Sequence, residues 1–489
     1  MNNKSDIFHS KNYLFLNFLI LLGYLCLYPL ITSKLSPYDY GNYIFAHSVA
    51  VIIVGISNFG VKIGYKRNFF EFYNKKKESE ILLFSVQIFV IIIFISVFII
   101  NFIFKENITS YFGAVKNIKN FWLLLLLGLM FESFSKYYLI FLENRRESQK
   151  YFYLIFFKSI IYFILVLFFL FNNYGLKSLI YSLLMSNFIL FCFVIFFQLK
   201  NKYFRFNKTY MKDVLKISLP NTPKILFGQI NSKADKILIS TLSTFSNTGI
   251  YSIAQSLSYV IFQIINSLDK VFITKTNKML FDKQNYNIGP FLTSFIYFCS
   301  IPAIGLIYFN ELIMEIFIDK KYHGSENIII ILVIYYFSLI FGKISGTQLI
   351  YAKKIWLNTN FFILNIILNI IFNIPLIYYF NMLGAAVATL LSSSISLLFS
   401  MYFAKKYSPI HYERKQVSII FGFILLSSVY SILVSNQFLE VNLIFDQFIG
   451  FAVILLFIIH GYLQKIYDQN TLKSIFRILK KKRNVKTDN

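Results

Sequence analysis

Ionisable side chains inside long apolar stretches are the residues of this 489-residue sequence that could do chemistry. A charge at the centre of a bilayer costs about 2.5–3.5 kcal/mol on insertion scales, so each such residue is a candidate functional group. Bases outnumber acids in these stretches, and lysine binds phosphate as a point charge. The excess predicts an anionic ligand, a phosphate or a diphosphate, in a cavity open toward the cytoplasm. The residues are Lys62, Lys136, Lys158, Lys216, Lys224, Lys233, Lys236 and Lys343, with Glu132, Asp235 and Asp269.

Several of these lysines also have a purely structural interpretation. Glu132 and Lys136 stand four residues apart with the acid first, a spacing at which the two side chains can neutralise each other on one helix. Lys158 is then open to two interpretations, as a partner of Glu132 or as part of the cavity lining. Lys62 and Lys216 lie within a turn of the membrane interface, where a lysine can extend its ammonium group to the lipid headgroups.

The remaining bases differ in their acidic neighbours. Asp235 lies between Lys233 and Lys236, so a local ion pair and a site for a coupling ion or proton are equal alternatives. Lys224 and Lys343 have no acidic residue close to them in the sequence, and they are the strongest candidates for binding an anion. All the lysines except Lys216 are predicted to bind the substrate. The acids are predicted to act in coupling or gating: Glu132, Asp235 and Asp269.

The composition determines what surrounds these residues. Only 14% of the chain is charged, against about 25% in soluble proteins, and it contains 59 Phe. With a mean hydropathy of +0.61, a water-soluble fold could not cover its apolar surface, so the chain is predicted to lie in a membrane. The net charge of +26 is divided into short clusters between apolar runs, a pattern of cytoplasmic loops that excludes nucleic acid as a partner. Cys26, Cys192 and Cys299 all fall within apolar runs, so neither a disulfide nor a metal site is predicted, and no cofactor is implied.

Fourteen apolar stretches are long enough to cross the hydrocarbon, which requires about 20 residues. With the N-terminus in the cytoplasm, 33 Lys and Arg fall in the cytoplasmic segments and 7 in the opposite loops. This asymmetry follows the positive-inside rule, so both ends of the chain are predicted to be cytoplasmic. The stretches are 12–33, 42–65, 81–104, 120–142, 150–171, 174–199, 216–240, 248–268, 288–308, 327–350, 356–378, 382–403, 416–434 and 445–463.

Two short patterns recur at a common spacing. Residues 41–48 (GNYIFAHS) and 249–256 (GIYSIAQS) share G-x-Y-x-x-A-x-S, 208 positions apart, and Gly175 and Gly384 form a weaker pair 209 positions apart. The common spacing predicts a duplicated unit of six spans, whose copies are related by an axis along the membrane normal. The predicted fold is therefore an all-α polytopic membrane protein of about 14 transmembrane helices, with two parallel six-helix repeats and two extra C-terminal helices. Its parts are an N-terminal lobe at 1–199, a cytoplasmic linker at 200–215, a C-terminal lobe at 216–403, the two additional helices at 404–463 and a basic cytoplasmic tail at 464–489.

The seventh stretch is the most polar of the fourteen. From residue 217 onward it carries Pro220, Pro223 and Gly228 together with four ionisable residues, so it is expected to line a cavity and not to face lipid. Because each proline removes a backbone N–H, a kink is expected at 220–223. In the tail, residues 470–483 place apolar side chains on one helical face and bases opposite, which predicts a helix along the anionic membrane surface. A simple stop-transfer charge cluster is the alternative.

Four segments of the chain carry a family resemblance. LKISLP at 215–220, ADKILIS at 234–240, GIYSIAQSLS at 249–258 and LSPYDYGNY at 35–43 resemble the polysaccharide-biosynthesis flippases of the multidrug/oligosaccharidyl-lipid/polysaccharide exporter superfamily. The resemblance implies two six-helix lobes around a cationic cavity with alternating access. It implies that Asp235 and nearby bases matter to transport, and that the extra helix pair helps form a groove for a lipid tail. Several relatives use arginine within their spans, whereas the intramembrane bases here are all lysine.

The same resemblance implies a function and a set of partners. The function is translocation of a polyprenyl-diphosphate-linked oligosaccharide, such as an O-antigen, capsule or exopolysaccharide repeat unit, from the cytoplasmic to the outer leaflet of a bacterial inner membrane. Membrane lipids, a coupling cation or proton, and polysaccharide polymerase machinery are the further partners. No G-x-x-x-x-G-K-[ST] pattern occurs, so a P-loop for ATP is excluded within this chain.

Two rival functions come from different classes of protein. An ion-coupled exporter of drugs or small molecules from the same superfamily should favour intramembrane acids, because its substrates are cations, whereas here bases are in excess. A membrane polysaccharide polymerase or ligase needs a sizeable outward loop with catalytic Arg or His. The largest outward loop, 309–326, is short and acidic, so the chain is not expected to be an enzyme.

Overall fold

The described part of the chain consists of helices, which confirms the all-α prediction. The computed structural model describes residues 25–110, 120–199, 204–281, 285–439 and 441–466, together with positions 16, 19, 20, 22 and 23. The predicted tail helix at 470–483 lies outside these residues. Every described position from 16 to 34 is helical, and this segment is named α1. The other α-helices are α2 (Pro37–Ser57), α3 (Val61–Phe69), α4 (Lys76–Ile103), α5 (Lys105–Ser110), α6 (Trp122–Asn144), α7 (Ser148–Phe171), α8 (Lys177–Leu199), α9 (Lys208–Leu242), α10 (Phe245–Phe281), α11 (Asn285–Tyr308), α12 (Asn310–Phe317), α13 (Glu326–Tyr351), α14 (Ile355–Tyr407), α15 (Arg414–Ser435) and α16 (Leu443–Leu463).

Long apolar helices make this a multi-pass membrane protein. Within the described residues, 11 helices are long and apolar enough to cross a bilayer. They include all of the predicted spans between α2 and α16 except α9, which is long but too polar to qualify. The count of fourteen is not confirmed and stays a prediction.

Helix α14 is two antiparallel helices joined at a single residue, where the chain reverses direction. Its 53 residues would extend about 80 Å at 1.5 Å per residue, well beyond a hydrocarbon core of about 30 Å. Asn381, with φ 53° and ψ −131°, reverses the chain. Ser396 Oγ then donates a hydrogen bond to Phe361 O at 2.7 Å, a contact that a straight helix could not make. The two halves, 355–380 and 382–407, correspond to two of the predicted spans.

The predicted span 42–65 is wrong in one detail, because it is two helices. Helix α2 ends at Ser57, the backbone turns through Phe59 and Gly60 at positive φ, and α3 begins at Val61. Lys62 therefore lies on a short separate helix. Nothing in the local sequence marks this break except Gly60, since apolar residues continue on both sides.

Helix α9 is longer than the predicted span and runs unbroken through its prolines. It begins at Lys208, so the second half of the predicted linker is helical. Asn221 Nδ2 donates a hydrogen bond to Ile217 O at 2.8 Å, and Thr222 Oγ1 donates to Ser218 O at 3.2 Å. Polar side chains thus bind backbone carbonyls in the turn around Pro220 and Pro223.

Turns at equivalent places in the chain support a duplication. Non-glycine residues at positive φ end α6 and α13, at Arg146 (φ 60°) and Lys353 (φ 59°). The next turns also have such residues, at Asn173 (φ 58°) after α7 and at Asn381 (φ 53°) within α14. These pairs lie 207 and 208 positions apart, within one or two positions of the 208 and 209 that separate the repeated sequence patterns. The lobe boundaries themselves remain a prediction.

Helices α2 and α10 join the two halves, and the last two helices lie to one side. The Phe245 ring of α10 packs edge-on against Tyr38 and Phe45 of α2, with centroids 5.8 and 5.6 Å away. Helices α15 and α16 pack against α11 instead: Tyr297 Oη donates a hydrogen bond to Phe457 O at 3.0 Å. This placement leaves the space between the halves to be lined by other helices.

Candidate functional site

A cavity of about 1330 Å³ lies between the two halves. Its lining comes from α1, α2, α3, α6, α7 and α8 on one side and from α9, α10, α13 and α14 on the other. This volume exceeds the roughly 300–1,000 Å³ of an ordinary small-molecule site. Seven of the ten residues predicted from the sequence to form the site line this cavity: Lys62, Lys136, Lys158, Lys233, Lys236, Glu132 and Asp235.

One cluster in the cavity brings two lysines to a single carboxylate. Glu132 Oε1 lies 2.9 Å from Lys136 Nζ, one turn along α6, and 4.0 Å from Lys158 Nζ on α7. Both alternatives considered for these lysines therefore hold at once, since each pairs with Glu132 and each lines the cavity. One carboxylate cannot neutralise two ammonium groups, so the cluster carries one positive charge in excess.

Asp235 lies at the centre of a hydrogen-bond network of uncharged groups. Its carboxylate accepts hydrogen bonds of 3.1 Å from Tyr251 Oη on α10, from Asn373 Nδ2 in the first half of α14 and from Thr389 Oγ1 in its second half. Its residue is 8% exposed. Asp235 forms no ion pair with the lysines beside it in the described structure, so the local ion pair considered from the sequence is not present.

Three partners of Asp235 were not identified from the sequence. Tyr251 is the tyrosine of the recurring G-x-Y-x-x-A-x-S pattern, which by itself indicates a repeat and not a contact with Asp235. Asn373 also donates to Asn369 O, and the Asn369 side chain donates to Thr389 Oγ1 at 3.3 Å. Amides spaced by four within an apolar stretch were the available signal, but the sequence does not say which acid they contact.

Lys233 and Lys236 are the half-buried lysines of the cavity lining that have no acidic partner among the described residues. They stand three positions apart on α9, so they occupy neighbouring places on one face of that helix and both line the cavity. Lys62 lines the cavity from α3 with an exposed side chain. Lys216 of α9 is exposed and lies away from the described lining.

Lys224 and Lys343, the two strongest candidates for binding an anion, are not among the described residues that line the cavity. Lys343 Nζ lies 2.7 Å from Asp269 Oδ2 and outside the cavity lining, so this lysine, which has no acidic residue close to it in the sequence, finds an acidic partner through folding. The partners are 74 positions apart in sequence, and the packing of α13 against α10 brings them together. The side chain of Lys224 lies outside the described residues, and its role remains a prediction.

His47 is a cavity residue that sequence reasoning overlooked. It extends from α2, its ring lies 5.7 Å from that of Tyr43, and it lines the cavity near the charged side chains. Its position inside the repeated pattern, where the second copy has Gln255, was the available signal. Within the described residues no group of three His, Cys, Asp or Glu is arranged to hold a metal ion.

A short segment, 319–322, contacts the end of α1 at the end of the bundle where α2 and α10 begin. Asp319 N donates a hydrogen bond to Thr32 Oγ1 at 3.1 Å, and Lys321 Nζ donates to Ser33 O at 2.9 Å. Tyr322 Oη donates to Leu35 O at 3.2 Å and is buried. We call this set of contacts the latch; it ties the second half of the chain to the end of α1.

At the opposite end of the bundle, α9 packs against α3 and the break between α2 and α3. Thr222 Oγ1 donates a hydrogen bond to Phe59 O at 3.0 Å, across the break between α2 and α3. Gly64 packs directly on the backbone of α9, where an added Cβ would overlap Val214 O. Contacts between the halves therefore connect them near both ends of the bundle.

Known proteins share the sequence pattern of this chain. A family model described as polysaccharide biosynthesis protein matches residues 34–327. The capsular polysaccharide biosynthesis protein CapF of Staphylococcus aureus is 27% identical over 207 residues, which are 40% of this chain and 50% of CapF. The match thus spans about half the length of that curated relative.

Solved structures share the fold. The lipid II flippase MurJ in an inward closed conformation superimposes with a TM-score of 0.69 at 20% identity, covering 94% of this chain and 100% of that one. An inward-facing multidrug resistance MATE family transporter of the MOP superfamily gives a TM-score of 0.65 at 12% identity, covering 79% and 94%. At these identities the likeness concerns the fold.

Proposed function

Because the chain belongs to the polysaccharide biosynthesis protein family, we propose that it is a flippase for a polyprenyl-diphosphate-linked oligosaccharide. The substrate is an O-antigen, capsule or exopolysaccharide repeat unit on its lipid carrier. Transport runs from the cytoplasmic to the outer leaflet of a bacterial inner membrane, by alternating access of the cavity between the two halves. Catalysis of a covalent reaction is not part of this function.

The charge of the cavity carries the proposal. Five lysines and two acids are among the described residues that line it, so bases exceed acids there by three. Lys233 and Lys236 are positioned on one face of α9 to bind the two phosphates of a diphosphate as point charges. Across the cavity, the extra positive charge of the Glu132 cluster attracts the same group.

Transport physics explains why such a cavity is needed. Moving a charged, hydrated head group through bare hydrocarbon would cost tens of kcal/mol. Lysines and cavity water replace the hydration of the diphosphate and sugars, while the polyprenyl chain stays in the lipid. The volume of about 1330 Å³ suits an oligosaccharide better than a single small molecule.

Asp235 is the proposed site for coupling transport to an ion or a proton. A buried carboxylate surrounded by neutral donors has a charge that nothing in its immediate shell neutralises, so a cation or proton would bind it favourably. Because its partners lie on α10 and on both halves of α14, its occupancy would change how three helices pack. Glu132 and Asp269 are the further acids assigned to coupling or gating.

An ion-coupled exporter of small molecules is the second candidate function. The similarity to the MATE fold favours it, whereas the excess of bases in the cavity disfavours a cationic substrate. The two candidates make opposite predictions for ligand charge, so one binding experiment separates them.

The test is native mass spectrometry of the full-length protein, purified in mild detergent from its own host. The wild type is compared with Lys233→Ala/Lys236→Ala, and Lys216→Ala serves as a matched control because it removes an exposed lysine of the same helix. We expect a polyprenyl-diphosphate glycan to accompany the wild type and the control and to be depleted in the double variant. Retention of only bulk phospholipid by all three proteins would contradict the proposal.

A further inference from the structure

The charged residues of the cavity come from a different set of helices than the residues of its opposite wall, which the Asp235 carboxylate contacts through Thr389. Lysines, acids and His47 reach it from α2, α3, α6, α7 and α9. The described lining residues of α10, α13 and α14 include no Lys, Arg, His, Asp or Glu. We call this second side the neutral wall; its polar and aromatic members are Gln255, Tyr259, Gln263, Tyr335, Tyr336 and Asn365.

A regular stripe on α10 forms the centre of the neutral wall. Gln255, Tyr259 and Gln263 are spaced by four residues, so they occupy one face of the helix, turn after turn. Tyr259 is 40% exposed although Leu257 and Ser258 just before it are buried, and it lines the cavity. An aromatic ring is thus presented between two primary amides.

Neighbouring rings hold this tyrosine in place. The Tyr336 ring of α13 meets Tyr259 edge-on with centroids 5.6 Å apart, and Phe262 lies 5.4 Å from Tyr259 on α10. Tyr335 is 4.9 Å from Tyr336. The aromatic surface is therefore built from two helices and is fixed before any ligand arrives.

The chemistry of the neutral wall matches that of a sugar without a formal charge. A sugar ring has C–H groups on its face, which suit the electron-rich face of an aromatic ring. Its hydroxyl and acetamido groups lie at the edge, where each amide side chain supplies two donors and an acceptor. Asn365 Oδ1 is a buried acceptor that takes up no hydrogen bond within the described residues, so it is available to such a donor.

We propose that the neutral wall is the sugar-binding subsite of the cavity and that it selects an uncharged sugar over an acidic one. The proposal rests on the proposed function, in which the diphosphate binds the lysines across the cavity. A uronic acid at this wall would place its carboxylate where the described lining offers no base. The neutral wall thereby adds specificity for the glycan to the affinity that the lysines give for the diphosphate.

Binding of defined lipids tests this assignment. The full chain in detergent is titrated with three probes, monitored by native mass spectrometry: polyprenyl diphosphate alone, the same lipid carrying N-acetylglucosamine, and the same lipid carrying a glucuronic acid. The variants are Tyr259→Leu and Gln263→Met. Asn266→Leu is the matched control, because Asn266 is an amide of the same helix that lies outside the cavity lining.

We expect the wild type to bind the N-acetylglucosamine lipid more tightly than the other two probes. Each variant should weaken that binding by about two- to tenfold, which is the change in affinity expected when one hydrogen bond or contact is lost. Binding of the bare diphosphate lipid should not change, and the control should bind all probes as the wild type does. Equal weakening of all probes, no weakening of any, or equal affinity for the two glycolipids would overturn the subsite.

Failure of the proposed function gives a different result. In that case the wild type binds none of the diphosphate lipids, or Lys233→Ala/Lys236→Ala binds them as well as the wild type does. If instead the lysine variant loses all three probes while Tyr259→Leu and Gln263→Met lose none, the function stands and the sugar subsite alone is rejected.

Discussion

Gly41 and Gly249 lie face to face where α2 packs against α10. A Cβ added at Gly41 would overlap the carbonyl oxygen of Phe245, and a Cβ added at Gly249 would overlap the carbonyl oxygen of Pro37. The two contacts are reciprocal, and the members of each equivalent pair are 208 positions apart in the chain. Reciprocal contacts of this kind arise where two copies of one motif meet about a two-fold axis. The glycines of the repeated pattern are thus explained by close helix packing.

Enlarging either glycine should force the two helices apart. We expect Gly41→Leu and Gly249→Leu each to lower the free energy of unfolding by about 1–3 kcal/mol, the usual cost of overpacking. The loss of stability is measured as a lower midpoint of thermal unfolding in detergent. Gly422→Ala is the control, because a Cβ there meets no atom within 4 Å; equal midpoints for the leucine variants and the wild type would contradict the close packing.

Replacing the carboxylate of Asp235 should disturb both stability and coupling. Asp235→Asn puts an NH₂ group where Tyr251, Asn373 and Thr389 now donate, so at least one donor loses its acceptor at a cost of about 1–3 kcal/mol. Transport in vesicles with an imposed proton or sodium gradient should lose its dependence on that gradient.

Asp213→Asn provides the comparison for Asp235, since it removes an exposed acid from the same helix. It should leave unfolding and transport unchanged. Gradient-driven transport at the wild-type rate by Asp235→Asn would exclude Asp235 from coupling.

The ion pair between Lys343 and Asp269 should contribute to the stability of the fold. Lys343→Met and Asp269→Leu should each destabilise the protein by about 1.5–3 kcal/mol, because each leaves a partly buried charge without its partner. The double variant should cost less than the sum of the single ones, as a double-mutant cycle of unfolding free energies would measure. Strict additivity would show that the two side chains do not interact in the membrane.

Weakening the latch should open the cavity at the α2/α10 end. In Lys321→Ala/Tyr322→Phe, two of the hydrogen bonds from segment 319–322 to the end of α1 are lost. A cysteine introduced at Val51, which lines the cavity, should then react faster with a membrane-impermeant maleimide added from that side. Cys26, Cys192 and Cys299 are replaced by Ala in all proteins compared. If the latch variant is labelled at the same rate as the protein with an intact latch, the latch does not control access to the cavity. An equal increase in the neighbouring control Lys320→Ala would also argue against this role.

Helix positions were predictable because each span is a separate apolar run. The bounds of α8, predicted as 174–199, and of α16, predicted as 445–463, differ from the observed ones by no more than three residues. The break between α2 and α3 was not predictable, since only the left-handed backbone at Phe59 and Gly60 produces it. Hydrophobicity therefore places the helices, and backbone geometry decides where they are interrupted.

The excess of positive charge in the site could be predicted from the sequence, but most of the contacts between its side chains could not. Lys136 and Glu132 share a helical face, so their contact follows from spacing alone. Lys343 meets Asp269 only because α10 and α13 pack together, and Asp235 finds its donors on α10 and α14. Such contacts depend on how helices are arranged around each other, which a single sequence does not specify.

The reversal at Asn381 has a consequence for how the chain is made. With no connecting loop between residues 380 and 382, the two halves of α14 cannot be delivered to the bilayer as independent segments. They must leave the translocation machinery together, as a hairpin whose tip crosses while both arms stay paired. Epitope tags inserted at this tip should therefore block biogenesis itself, whereas tags at 436–439, between α15 and α16, should be accepted.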